Sequence, residues 1–179
     1  MKFQRSLKNI KAILSKYDLD KLEDGVRWVV TEGDTTQSCY VLREDTIYIN
    51  PKDIGWHWTF GKSPFAIMFH ELGHRFAEKL LTRTILKKKN IVNLFGYYHK
   101  KYIRRLRYAS KCKRKDLEDF ASRYSLVHSA DDFCEIFSVC LQYMTKKKNP
   151  ERFIKDFNKS ELCRRKIKKM VKLIKAKKK

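Results

Sequence analysis

The sequence predicts a single α+β domain spanning residues 1–179, in which a small, mostly antiparallel sheet packs on a central helix and the C-terminal half is helical. Short strand-like stretches occupy residues 26–49, and an apolar segment of helical periodicity follows at 65–81. Later segments repeat that periodicity as far as about residue 175. With 179 residues, 42% of them hydrophobic, the chain is long enough for a hydrophobic core of its own.

The first quarter of the chain predicts one helix and then three strands. Residues 2–17 form an amphipathic helix, because apolar side chains recur on one stripe, at Phe3, Leu7, Ile10, Leu14 and Tyr17. Strands are predicted at 26–30, 39–42 and 46–49, separated by polar turns. Residues 47–50 are the candidate sheet edge, where an extended peptide would pair as an added strand.

Residues 65–81 contain the pentapeptide His70-Glu71-Leu72-Gly73-His74. Ser63 is the predicted N-cap and Pro64 the first helical residue. Residues four apart share a helix face, so the two histidines are candidate ligands of one metal ion, with Glu71 turned about 100° away. The helix is apolar nearly all round, which indicates burial. The alternative is a pair of core histidines hydrogen-bonded to the backbone.

The aromatic residues Trp56-His57-Trp58 lie in the connection that leads into this helix. They either line a substrate pocket or pack over the helix start.

A second helix is predicted over residues 131–144, with Ser129 as its N-cap. One narrow strip of this helix is polar and is formed by Asp131, Glu135, Ser138 and Gln142. The strip is either solvated or turned inward towards a cation, and its lack of lysine favours the second reading. A catalytic zinc ion usually takes three protein ligands. Two carboxylates one turn apart suit one ligand and one acceptor for a ligand histidine's other N–H.

These motifs resemble the gluzincin metallopeptidases of the anthrax-lethal-factor catalytic-domain type. The resemblance rests on HELGH, on Ser122-Arg123-Tyr124 and on Asp131-Asp132-Phe133-Cys134-Glu135, and it covers about residues 45–145. It implies a zincin-like fold, one Zn²⁺ per chain, and an endopeptidase acting on protein or peptide substrates. Glu71 would then be the general base.

The resemblance also implies further roles by position. Asp131 corresponds to the zinc carboxylate, Glu135 to the glutamate behind a ligand histidine, and Tyr124 to the residue that stabilises the transition state. The family pattern has glutamate where this chain has Asp131. Because aspartate is one methylene shorter, either the two helices approach more closely or Glu135 itself ligates the metal. His128 stands where relatives often carry a small polar residue, and it either assists or replaces Tyr124.

The net charge of +22 predicts attraction to polyanions such as nucleic acid. Residues 84–115 are strongly basic, with tyrosines interleaved, which suits either phosphate and base contacts or a helix whose tyrosines face the core. The alternative function is therefore a basic nucleic-acid-binding protein on a protease-like scaffold, or a protease recruited to proteins on nucleic acid. A short helix at 150–157 and a basic final helix capped by Ser160 complete the chain, with a frayed tail.

Cysteine usage and the N-terminus predict an intracellular protein. The five cysteines form no C-x-x-C pair, which is typical of free thiols in a reducing compartment. No segment has the apolar core of a signal peptide or the roughly 18 apolar residues of a membrane span. A cytoplasmic location is expected, with a host cell or a virion as possible settings.

Overall fold

The computed structural model describes residues 2–31, 37–53, 64–80, 91, 94–95, 117–126 and 128–176. The predicted N-cap Ser63 and the aromatic run at 56–58 lie outside these ranges. So does nearly all of the basic, tyrosine-containing stretch at 84–115. None of the described helices is long and apolar enough to cross a membrane.

Five α-helices are described. They are α1 (Lys2–Lys16), α2 (Pro64–Arg75), α3 (Ser129–Thr145), α4 (Arg152–Asp156) and α5 (Glu161–Lys175). α2 continues as one π-helical turn at Phe76–Leu80. The predicted helix starts at Pro64 and Ser160 are confirmed, since Pro64 begins α2 and the Ser160 side chain accepts a hydrogen bond from the Cys163 backbone N–H.

The sheet has three strands, β1 (Arg27–Val30), β2 (Cys39–Val41) and β3 (Thr46–Ile49), in the order β1-β3-β2. β1 pairs with β3 in parallel and β2 pairs with β3 antiparallel. The sheet is therefore mixed, and the prediction of a mostly antiparallel sheet is wrong. Residues 47–50 are also not an edge, because β3 is the central strand. The strand that contacts α2 from a sheet edge is β2.

The core forms where α2 crosses α3. Phe69, Phe76 and Phe137 are fully buried here, and the Phe76 and Phe137 rings stack at 5.0 Å. At the crossing, a Cβ placed on Gly73 would lie 2.9 Å from the Cα of Cys134. This distance is shorter than real carbon contacts, so the helices reach this separation only because residue 73 has no side chain.

Arg75 joins the end of α2 to the sheet. Its guanidinium donates to both carboxylate oxygens of Asp45 at 2.8 Å and to the backbone carbonyls of Lys21 and Asp24. Asp45 also accepts from the Tyr40 hydroxyl of β2 at 2.8 Å. The Arg75 hydrogen bonds lower the pKa of Asp45 to about 2. This bidentate pair fixes β2 relative to the helix that carries the HELGH motif.

Lys166 joins α5 to the first turn of α3. Its ammonium group is fully buried, donates to Asp132 Oδ2 at 2.6 Å and to the Asp119 carbonyl at 3.0 Å, and lies 4.3 Å from the Phe120 ring centroid. Asp132 Oδ1 has no hydrogen-bond partner among the described residues. Burial raises the pKa of Asp132 to about 6, although Lys166 opposes that shift. The pair holds the chain segment that carries Asp131.

We expect Lys166→Met to destabilise the fold by about 3–5 kcal/mol, because it leaves the Asp132 charge buried without its partner. Urea unfolding followed by circular dichroism measures the loss. The matched control is Lys166→Met combined with Asp132→Leu, which removes both charges and should recover most of the stability. If Lys166→Met alone is as stable as the wild type, the ion pair does not hold α5 in place.

Candidate metal centre

The two histidines of HELGH lie one turn apart on α2, with ring centroids 5.1 Å apart. The His70 side chain is 1% exposed and the His74 side chain is 26% exposed. Carboxylates reach these rings from α3, which packs against α2.

Asp131 brings a carboxylate from α3 to both histidines. Its Oδ1 atom lies 3.6 Å from His70 Nε2 and 3.4 Å from His74 Nε2. Zinc with bonds of about 2.0–2.1 Å in tetrahedral geometry holds neighbouring ligand atoms about 3.3 Å apart. Both distances from Asp131 Oδ1 are therefore close to the spacing that one tetrahedral metal ion requires.

Glu135 lies one turn further along α3, on the other side of the His70 ring. Its Oε1 atom is 2.8 Å from His70 Nδ1, and both side chains are almost fully buried. A proton on Nδ1 makes this a hydrogen bond, and a bound metal ion would then replace the Nε2 proton on the side of Asp131 and His74. Of the two carboxylates that the sequence left open as ligands, this geometry favours Asp131.

The site concentrates negative charge inside the protein. Glu71, Asp131 and Glu135 are all buried beside two imidazoles. Burial opposes a charge on His70, yet its hydrogen bonds with Asp131 and Glu135 outweigh that effect and raise the His70 pKa. Burial raises the pKa of Glu71, against the influence of both histidines. A cluster of this kind is stabilised by positive charge, and a divalent cation fits its nitrogen and oxygen donors.

Cys134 is a further potential ligand that the sequence did not single out. Ligand atoms of His70, His74 and Cys134 lie within 4.8 Å of one another, and within the described ranges this group could hold a metal ion. Cys134 follows Asp131 by three residues on α3, so both occupy the same face. That spacing was a visible signal, but a cysteine in an apolar helix is more often a packing residue.

A cavity of about 310 Å³ adjoins the centre. Glu71, His74, Glu78 and Tyr124 line it from one side, and residues 37–40 with Leu42 line it from the sheet side. The backbone N–H of Tyr40 donates a hydrogen bond to the Glu71 carboxyl group. The outer edge of β2 therefore faces Glu71, and the cavity lies between that edge and the histidines.

Tyr124 and His128 take different places. The Tyr124 ring lies 5.2 Å from the His70 ring, and burial together with nearby carboxylates raises the pKa of its hydroxyl, which keeps that hydroxyl protonated. His128 is exposed, and its Nδ1 accepts a hydrogen bond from the Ala130 N–H at 3.2 Å. His128, not Ser129, is thus the N-cap of α3, and the predicted cap was wrong by one residue.

Comparisons with protein-family models, with curated proteins and with solved structures found no match. What the centre does is therefore inferred from its own residues.

We expect Glu135→Gln to weaken zinc binding about 10–100-fold, because a neutral amide beside Nδ1 makes His70 a weaker metal ligand than a carboxylate does. Competition with a chromogenic chelator measures the affinity. Ser138→Ala is the matched control, since Ser138 lies one turn beyond on the same strip and donates to the Ala66 carbonyl. Equal affinities for Glu135→Gln and the wild type would mean that Glu135 does not act on the metal through His70.

Proposed function

We propose that the chain is a zinc-dependent endopeptidase in which His70, His74 and Asp131 hold one Zn²⁺. One observation carries the proposal: the Nε2 atoms of both histidines lie within 3.6 Å of Asp131 Oδ1. The distances from Asp131 to the two histidines suit a catalytic site with three protein ligands, in which the fourth position is left for water or substrate. The adjoining cavity, with Glu71 in its wall, supports a reaction at that position.

The bound ion would supply a water molecule of lowered pKa and a positive charge beside the substrate carbonyl. Glu71 is placed to accept the proton from that water and to return it to the departing amine. The Tyr40 N–H holds the Glu71 carboxyl group in the cavity wall. The protonated Tyr124 hydroxyl would donate to the carbonyl oxygen as its negative charge develops.

The sheet edge supports an extended peptide as the substrate. β2 lies at an edge of the sheet that the described residues form, and Tyr40 pairs with Ile47 of β3 on one side while its N–H points to Glu71 on the other. A peptide lying along this outer edge would pass between β2 and the histidines, through the cavity of about 310 Å³. Because the Tyr40 N–H already donates to Glu71, the peptide would pair with other backbone groups of this edge, which would place its scissile bond beside Glu71.

We expect Glu71→Gln to lower peptidase activity by about a hundredfold to ten-thousandfold, because proton transfer is lost. Zinc content should stay at one ion per chain. The readouts are mass spectrometry of a proteome-derived peptide library and elemental analysis of the purified protein.

The matched control is Glu78→Gln, which removes the same charge from the same cavity at an exposed position. It should retain both zinc and activity. A zinc-loaded wild-type protein that cleaves no peptide in the library, or a Glu71→Gln variant as active as the wild type, would contradict the proposal.

A second candidate function is polyanion binding, and the surface of α5 favours it. The exposed residues Arg165, Lys168, Lys172 and Lys175 follow one another at spacings of three or four, and we call them the basic stripe. Residues at this spacing share one helix face. Among the described residues, Glu151 makes an acidic contact with the basic stripe: its carboxylate lies 3.8 Å from the Lys168 ammonium group. Such a surface suits binding to the phosphate backbone of a nucleic acid, without contacts to particular bases.

If the stripe binds DNA, Arg165→Gln with Lys172→Gln should lower the slope of log affinity against log salt by about two. Fluorescence anisotropy with a mixed-sequence duplex provides the measurement. Arg5→Gln with Lys8→Gln removes two exposed charges from α1 and is the matched control. The stripe is excluded as the binding surface if both double variants change the slope equally.

A further inference from the structure

We propose that Cys134 is a fourth protein ligand, so that His70, His74, Asp131 and Cys134 close the metal centre until a substrate displaces the thiolate. This inference rests on the proposed zinc site and concerns its regulation. A zinc ion with four protein donors is inert, whereas one with three is open to water or substrate. The same centre would therefore exist in a closed and an open state.

The position of Cys134 follows from the helix crossing. A Cβ on residue 73 would lie 3.2 Å from the Cys134 sulfur, so Gly73 is what allows the sulfur to sit between α2 and α3. Gly73 directly precedes His74, and Cys134 follows Asp131 by three residues. The sulfur is thereby placed in the gap between the two elements that carry the other donors.

Distance and chemistry both suit coordination. The ligand atoms of Cys134, His70 and His74 lie within 4.8 Å of one another. Zinc bonds of about 2.3 Å to sulfur and about 2.0–2.1 Å to nitrogen place those ligand atoms about 3.6 Å apart, so a small side-chain rotation is sufficient. Thiolate is a preferred zinc ligand.

The other buried thiols serve as internal references. Cys140 and Cys163 are also fully buried, yet within the described ranges neither belongs to a group of donors that could hold an ion. Cys140 lies on α3 as well, six residues after Cys134. Packing alone therefore accounts for Cys140 and Cys163, whereas Cys134 adds a sulfur donor to two histidines.

The exchange between the two states is balanced in protons and involves no oxidation. When Cys134 binds the ion, its thiol loses one proton to solvent and a zinc–sulfur bond forms. When a substrate enters and a water molecule takes the fourth position, that bond breaks and the sulfur takes up one proton from solvent. Asp131 and both histidines stay bound throughout, so the open state is the one used in the proposed reaction.

Cobalt substitution provides the test. The full-length protein is titrated with Co²⁺ and its absorption spectrum is recorded without substrate. We expect visible bands typical of tetrahedral cobalt together with a near-ultraviolet thiolate-to-cobalt charge-transfer band. Tetrahedral bands without the charge-transfer band would overturn the role of Cys134 and leave the proposed function intact. No cobalt binding, together with no zinc binding, would remove the proposed function as well.

Cysteine variants show which sulfur produces the charge-transfer band. Cys134→Ser should abolish the charge-transfer band and weaken zinc binding by about tenfold or more. Losing a ligand should cost at least as much affinity as losing a residue that only supports a ligand. Cys134→Ala is the second variant in case serine disturbs the helix crossing. Cys140→Ser, the control on the same helix, should keep both the band and the affinity. A band that persists in both Cys134 variants would contradict the inference.

Discussion

The contact between Gly73 and Cys134 is the constraint on which the centre depends. The absence of a side chain at residue 73 lets α2 and α3 approach until a Cβ there would lie 2.9 Å from the Cys134 backbone. Only at that separation does the short side chain of Asp131 reach both histidines, at 3.4 and 3.6 Å. A longer glutamate would span a wider gap. The short Asp131 side chain therefore depends on the close helix approach that Gly73 allows.

Charge is the second organising constraint. Two ion pairs frame the centre without belonging to it: Arg75 with Asp45 at the sheet end and Lys166 with Asp132 at the α5 end. Arg75 binds both carboxylate oxygens of Asp45, and Lys166 binds one oxygen of Asp132. The carboxylates of Asp131 and Glu135, by contrast, are directed at imidazoles. In a chain with a net charge of +22, two buried acids directed at a pair of imidazoles form an arrangement that a cation would use.

Much of the fold was predictable because it follows from local periodicity. The extents of α1 and α5, the start of α2 and the existence of three strands follow from residue spacing and caps such as Ser160, whereas the change of α2 to a π-helical turn after Arg75 was not predicted. The pairing of β1 with β3 was not predicted either, since strand order depends on long-range packing that no local pattern encodes. The buried Lys166 was hidden among surface lysines, because only its partner Asp132, distant in sequence, distinguishes it. His128 was overlooked as a cap because serine is the commoner capping residue.

The central claim is that one ion sits between α2 and α3, and anomalous diffraction at the zinc absorption edge tests it most directly. Crystals of the zinc-loaded protein should show one peak per chain, about 2.0–2.2 Å from His70 Nε2, His74 Nε2 and an oxygen of Asp131. A peak that lacks these three ligands, whether or not Cys134 Sγ also binds it, or no peak in protein that contains zinc by elemental analysis, would contradict the account.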